Sequence, residues 1–167
     1  LNYPDFRSYE RCFSLLTQLA GRAGRSKEKG RVIIQTFNPL HPVFKDVCAY
    51  NYEAMYNKQI VERKLFRYPP FYHLLRISLQ CRDCKELDSF ADTYTEKLRG
   101  IFGGRILGPE YPPISRIRNF YIKNIILKLE RNLSYAKAKQ AILRLNEEMY
   151  ASVPKNHVRI ITDVDPQ

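Results

Sequence analysis

Gln18, Arg22 and Arg25 stand at i, i+4 and i+7 in "TQLAGRAGRS", a stretch that continues the helical pattern of "FRSYERCFSLL". On a helix that spacing projects the three side chains from one face, within about 60° of one another. An amide and two guanidiniums in a row form a donor-rich edge suited to phosphate oxygens, because each guanidinium fork meets two oxygens at once and keeps its charge. Gly21 and Gly24 remove Cβ beside this edge, which lets a ligand or another backbone approach. Each glycine costs a helix interior roughly 1 kcal/mol against alanine. The same residues also fit a plainer role, a solvated basic helix end in which Gly24 caps the C-terminus and the arginines offset the helix dipole.

A second constellation lies in "SRIRNFYIKN", where Arg116, Arg118 and Lys123 are interleaved with Phe120 and Tyr121. Cations track phosphates and aromatic faces stack on bases, so the set suits single-stranded or junction DNA. A hairpin end with core aromatics and solvated cations would carry the same residues. Cys12, Cys48, Cys81 and Cys84 are too few and too scattered for a disulfide framework. The single CxxC, "CRDC", lacks the second pair of ligands that tetrahedral zinc requires, so no metal site is expected. His41, His73 and His157 are isolated and receive no role.

The elements that must hold these residues follow from periodicity. Ser8 to about Gly24 reads as a helix capped by Ser8, with Cys12, Phe13, Leu16, Leu19, Ala20 and Ala23 on one side. "RVIIQTF", opened by Gly30, reads as a short buried strand. Pro39 and Pro42 break the chain, and two helices are expected over about Val43 to Ala49 and Tyr52 to Phe66, ended by Pro69-Pro70. From there "FYHLLRISLQC" alternates as a strand, and Leu87, Phe90, Ala91, Tyr94, Leu98 and Ile101 form one helix face broken by Gly103-Gly104. "RILGPEY" and "NFYIKNIILKLE" are strands, Ser134 caps a helix with Ala138, Ile142, Leu145 and Met149 inward, and "HVRIITDVDP" alternates again. The expected fold class is α+β: a β-α-β-β-α-β ferredoxin-like plait over 70–167, preceded by an α/β remnant over 1–38 and a helical linker over 39–69.

The 167 residues suffice for one ordinary domain or a small one plus part of another. Net charge +11 fits either a polyanionic partner or a merely soluble basic protein, and it disfavours a plait that dimerises to sense a small ligand. No apolar run is long enough to span a bilayer and no signal-peptide pattern opens the chain, so a cytoplasmic location without membrane partners is expected. The chain starts at Leu1, which leads us to expect a fragment of something longer whose companion strands precede it.

"QLAGRAGR" resembles motif VI of superfamily 2 helicases, with Gln18, Gly21, Arg22 and Arg25 matching Q-x-x-G-R-x-x-R position for position. Beyond it, "DFRSYERCFSLLTQLAGRAGR", "GRVIIQTFNPLHPV", "YEAMYNKQIVERKLFRYPPF", "ILGPEYPPISRIRNFYIKNIILK" and the terminal "TDVDP" resemble, in order and over nearly all of the chain, the C-terminal portion of the primosomal protein N′ (PriA) family of replication-restart DNA helicases. The resemblance implies the end of RecA-like helicase lobe 2, a linker and a DNA-binding domain similar in fold to a small-subunit ribosomal protein. It implies Arg22 and Arg25 as arginine fingers on the γ-phosphate of ATP, with Gln18 and Gly21 facing the same nucleotide. It further implies ATP and Mg²⁺ as requirements of the full-length protein, zinc bound by cysteines upstream of this stretch, and as partners forked and single-stranded DNA and other primosome proteins. Single-stranded-DNA-binding protein is a further implied partner, its acidic tail meeting Lys137 and Lys139 in "SYAKAKQAIL". The chain holds no G-x-x-x-x-G-K-[ST], so alone it should not hydrolyse ATP. The alternative is a non-enzymatic RNA-binding plait related to a ribosomal protein.

Overall fold

The structure, a computed structural model, describes residues 5–23, 31–152 and 157–166. The chain divides into two compact units, one ending at Phe66 and the other running from Arg67 to Pro166.

In the first unit three helices form in sequence: α1 (Ser8–Ala23), α2 (Pro42–Cys48) and α3 (Tyr52–Leu65). Ser8 is the first residue of α1 rather than its cap; the Arg7 amide donates instead to the Asp5 carboxylate at 3.0 Å. Proline in the first turn starts α2, where the His41 ring accepts from the Val43 amide, and Asn51 caps α3 by accepting from Ala54. Phe13, Val43 and Met55, one from each helix, are the buried core. Beside them the Tyr9 hydroxyl donates to Asp46 at 2.6 Å and the Lys58 ammonium donates to both Asp46 oxygens at 3.1 Å. Burial raises the Asp46 pKa, but the Tyr9 and Lys58 donors more than offset it and hold the carboxyl below the usual range.

Two expectations fail in this unit. Residues 31–37 form no strand and lie exposed, with Val32, Ile33 and Ile34 at 41%, 84% and 38%. A strand exists through hydrogen bonds to a neighbour, and no described residue supplies one here. The apolar stripe of α1 is likewise covered only at its start, since Phe13 is buried while Leu19 and Ala20 are exposed.

The second unit runs β1 (Tyr72–Cys81), α4 (Cys84–Phe102), a 3₁₀ turn, β2 (Ile106–Glu110), β3 (Arg116–Ile117), β4 (Phe120–Glu130), α5 (Tyr135–Ala151) and β5 (Val158–Val164). The sheet is antiparallel in order β2-β4-β1-β5, with the short β3 paired to β4. Its register sets Ile77 opposite Ile125 and Ile106 opposite Leu127, all buried, while the next pairs, Ser78 with Asn124 and Leu107 with Ile126, point to the other face. The stripes of α4 and α5 cover only the first face, burying Leu87, Tyr94, Leu98, Ile142 and Leu145 against it. Asp83 and Ser134 cap these helices, and Gly103, at φ 61°, ends α4. Gly108 has φ 93°, and a Cβ there would sit 2.7 Å from the Asn124 carbonyl, so the bend in β2 requires glycine. The chain is therefore mixed α and β, as expected, and its second unit has one more strand, β3, than anticipated.

Candidate functional site

The donor-rich edge sits on the last turns of α1, where Gln18, Gly21 and Arg22 are all exposed. With Thr17, Tyr50 and Tyr52 they line one open hollow. The Thr17 hydroxyl is buried there without a hydrogen-bond partner among the described residues. A Cβ on Gly21 would meet no atom of a described residue within 4 Å. Gly24 and Arg25 lie outside the described residues.

The second constellation is divided by the sheet's own alternation. Arg118 and Asn119, at φ 48° and 64°, form a two-residue turn that pairs Ile117 with Phe120 and Arg116 with Tyr121. Tyr121 points to the helix-covered face, packs partly against the core, and carries the Arg116 guanidinium 5.0 Å from its ring centre. Phe120 points to the open face. Lys123 shares the parity of Ile125 and Leu127 and is buried with them. Its ammonium pairs with Asp88 at 2.6 Å and lies 4.9 Å from the Tyr111 ring centre. Hydrogen bonds from Lys123 and from the Tyr111 hydroxyl hold the Asp88 carboxyl below the usual range. The expectation that Lys123 joins the DNA-facing set is thus corrected: strand alternation turns it inward and Asp88 neutralises it.

Sequence reasoning also missed two residues. Arg82, just beyond β1, and Arg159, on β5, bring their guanidiniums to 5.4 Å and 4.6 Å from the Phe120 ring centre. They are 38 or more positions from Phe120 in sequence, and only the register that sets Cys81 beside both Tyr121 and Val158 joins them. Arg82, Arg118 and Arg159 are exposed and take part in no ion pair among the described residues.

Lys137 and Lys139 are exposed on α5 on either side of buried Ala138. The CxxC cysteines diverge: Cys81 is buried and donates toward Glu86, whereas Cys84 lies 3.1 Å from the Tyr111 hydroxyl. Burial pushes the Cys81 thiol pKa up, against the thiolate that a metal would need. Among the described residues no three His, Cys, Asp or Glu side chains converge as a metal site.

Residues 64–167 match the family model described as primosomal protein N C-terminal domain. The chain is 33% identical to replication restart protein PriA of Bacillus subtilis across 99% of its own length and 20% of the relative's. It is 33% identical to that of Synechocystis, over 99% of this chain and 19% of the relative. For Haemophilus influenzae the identity is 36%, over 98% and 22%. The chain thus spans about a fifth of the curated relatives it matches.

Proposed function

The chain belongs to the primosomal protein N C-terminal domain family, and from that membership we propose that it is the C-terminal part of an ATP-dependent 3′–5′ DNA helicase that recognises stalled replication forks and starts primosome assembly. The observation that carries this reading is the alignment of the chain, almost end to end, with proteins named for replication restart. Residues 1–38 are then the end of the second helicase lobe with motif VI, 39–69 a helical linker, and 70–167 a DNA-binding plait. What supports the plait is the strand order β2-β4-β1-β5 together with one helix after β1 and one before β5. What supports the lobe remnant is the exposure of "VII" at 32–34, an apolar run of the composition a buried strand carries.

Within this reading the chain supplies half of an ATPase cleft. Gln18, Gly21 and Arg22 form an exposed edge with no described residue crowding Gly21, which fits a phosphate brought from another lobe. Arg22 and Arg25 stabilise charge developing on the transferred phosphoryl group, while the residues that hold the remaining phosphates and Mg²⁺ lie on the parent's other lobe. Zinc belongs to the parent's upstream cysteines, consistent with the divergent Cys81 and Cys84 here. Arg116, Arg118 and Phe120 contact DNA, and exposed Lys137 and Lys139 meet the acidic tail of single-stranded-DNA-binding protein. No helix among the described residues is long and apolar enough to cross a membrane, and the proposed work on the chromosome is cytoplasmic.

The test is DNA-stimulated ATP hydrolysis by the full-length parent. Arg22→Ala and Arg25→Ala should each lower turnover by about 10³-fold or more, the scale of an arginine finger. Unchanged turnover in both would remove motif VI from the account.

A further inference from the structure

We propose that the open face of the sheet, at the end where Phe120, Arg82 and Arg159 converge, is a stacking platform for a single-stranded DNA segment. The proposal rests on the DNA-binding reading above and goes beyond it, because it assigns a face, two arginines from other strands and a strandedness.

Geometry selects the place. The helices cover one face of the sheet, so β1, β4 and β5 present their alternate residues outward. At one end that outward set is Arg82, Phe120, Ile117 and Arg159, contributed by every strand but β2. The ring of Phe120 is half-buried, and two guanidinium planes lie against it within 5.4 Å. Flat aromatic and guanidinium surfaces are what unstacked bases lie on.

Charge selects the occupant. At this end Arg82, Arg118 and Arg159 have no acidic partner among the described residues. Farther along the same sheet Arg76 is paired with Asp163 at 2.8 Å and Arg105 with Glu130 at 2.7 Å. Guanidiniums without an acidic partner among the described residues thus stand beside the Phe120 ring. A strand of DNA offers both complements, phosphates for the guanidiniums and bases for the planes; an acidic peptide offers only the first. A duplex hides its base faces, so the platform distinguishes single strands from paired ones.

The chain contains no tryptophan, which makes Phe120→Trp a unique reporter. Titrated with oligothymidylate, the 167-residue Phe120→Trp protein should show saturable quenching of the indole, at the same midpoint as fluorescence anisotropy of a labelled oligonucleotide. Phe120→Leu, which keeps an apolar side chain and discards the ring, should weaken oligothymidylate binding by about tenfold. Arg82→Ala with Arg159→Ala should weaken it further and reduce the slope of log K against log salt by about 1.4, the value for two phosphate contacts on a single strand. Thermal melts alongside identify any loss that comes from unfolding, and duplex binding should change less than single-strand binding in all three variants. Oligothymidylate binding with an unmoved indole and an unchanged salt slope would overturn the platform and leave DNA binding by this unit standing. Equal weakening of duplex and single strand would overturn it too, as general electrostatics. If the wild-type chain bound no DNA of any kind, the platform and the reading beneath it would fall together.

Discussion

The two units use the same sequence device with different results. In α4 and α5 residues recurring at three and four are buried against a sheet belonging to the same chain, and Leu87, Tyr94 and Leu98 are fully covered. In α1 the same periodicity leaves Leu19 53% exposed, and the apolar run at 32–34 has no described residue across from it. Periodicity specifies an element and which side would be buried; burial itself needs a partner surface. One unit contains its partner, whereas the other presents apolar and donor-rich surfaces that the described residues do not answer.

Core truncation should separate the units most sharply. Leu127, fully buried in the core between sheet and helices, should lose about 2–5 kcal/mol on change to alanine, read as a shifted denaturation midpoint. A loss as small as that expected for an exposed leucine would break the comparison. Gly108→Ala comes next, at about 1–3 kcal/mol, because the new Cβ meets the Asn124 carbonyl in a left-handed backbone. The same midpoint measures it, and a neutral result would show that β2 can shift.

In the first unit the polar triad of Tyr9, Asp46 and Lys58 contributes on a smaller scale, about 1 kcal/mol. The Asp46 carboxyl titrates lower when folded than when unfolded, so its contribution is fully present above about pH 4 and is lost as pH falls through the folded value. Amide protection factors in α1 to α3, taken relative to the intrinsic exchange rate at each pH, should therefore fall on acidification, and Asp46→Asn should flatten that dependence. Leu19→Ser sits at the bottom of the scale. In the 167-residue chain it should move stability by less than about 0.5 kcal/mol, because the side chain is already in water. A larger loss would reveal a covering surface for α1.

How much was legible follows the same division. Strand alternation in "FYHLLRISLQC" and "NFYIKNIILKLE" carries the core face correctly, because inward Leu75, Ile77, Ile125 and Leu127 meet helices encoded nearby. That alternation also contained the correction to Lys123, two positions before Ile125, and the separation of Phe120 from Tyr121; chemical similarity drew those residues together where parity sets them apart. Arg82 and Arg159 were out of reach, since non-local register alone brings them to one ring. Residues 31–37 failed for the complementary reason: composition favours a strand, but no described residue pairs with it. The donor edge of α1 is exposed at Gln18 and Arg22, and its third member, Arg25, lies outside the described residues.

The central claim is a division of labour, in which the first unit supplies arginines to a nucleotide held elsewhere and the second supplies affinity for DNA. The direct measurement takes two double variants of the full-length parent, Arg22→Ala with Arg25→Ala and Arg116→Ala with Arg118→Ala, and records ATP turnover and forked-DNA affinity across a salt series. The first pair should abolish turnover and leave affinity nearly intact. The second should weaken fork binding and reduce the log K against log salt slope by about two, while turnover at saturating DNA persists. Either pair depressing both quantities together would contradict the division.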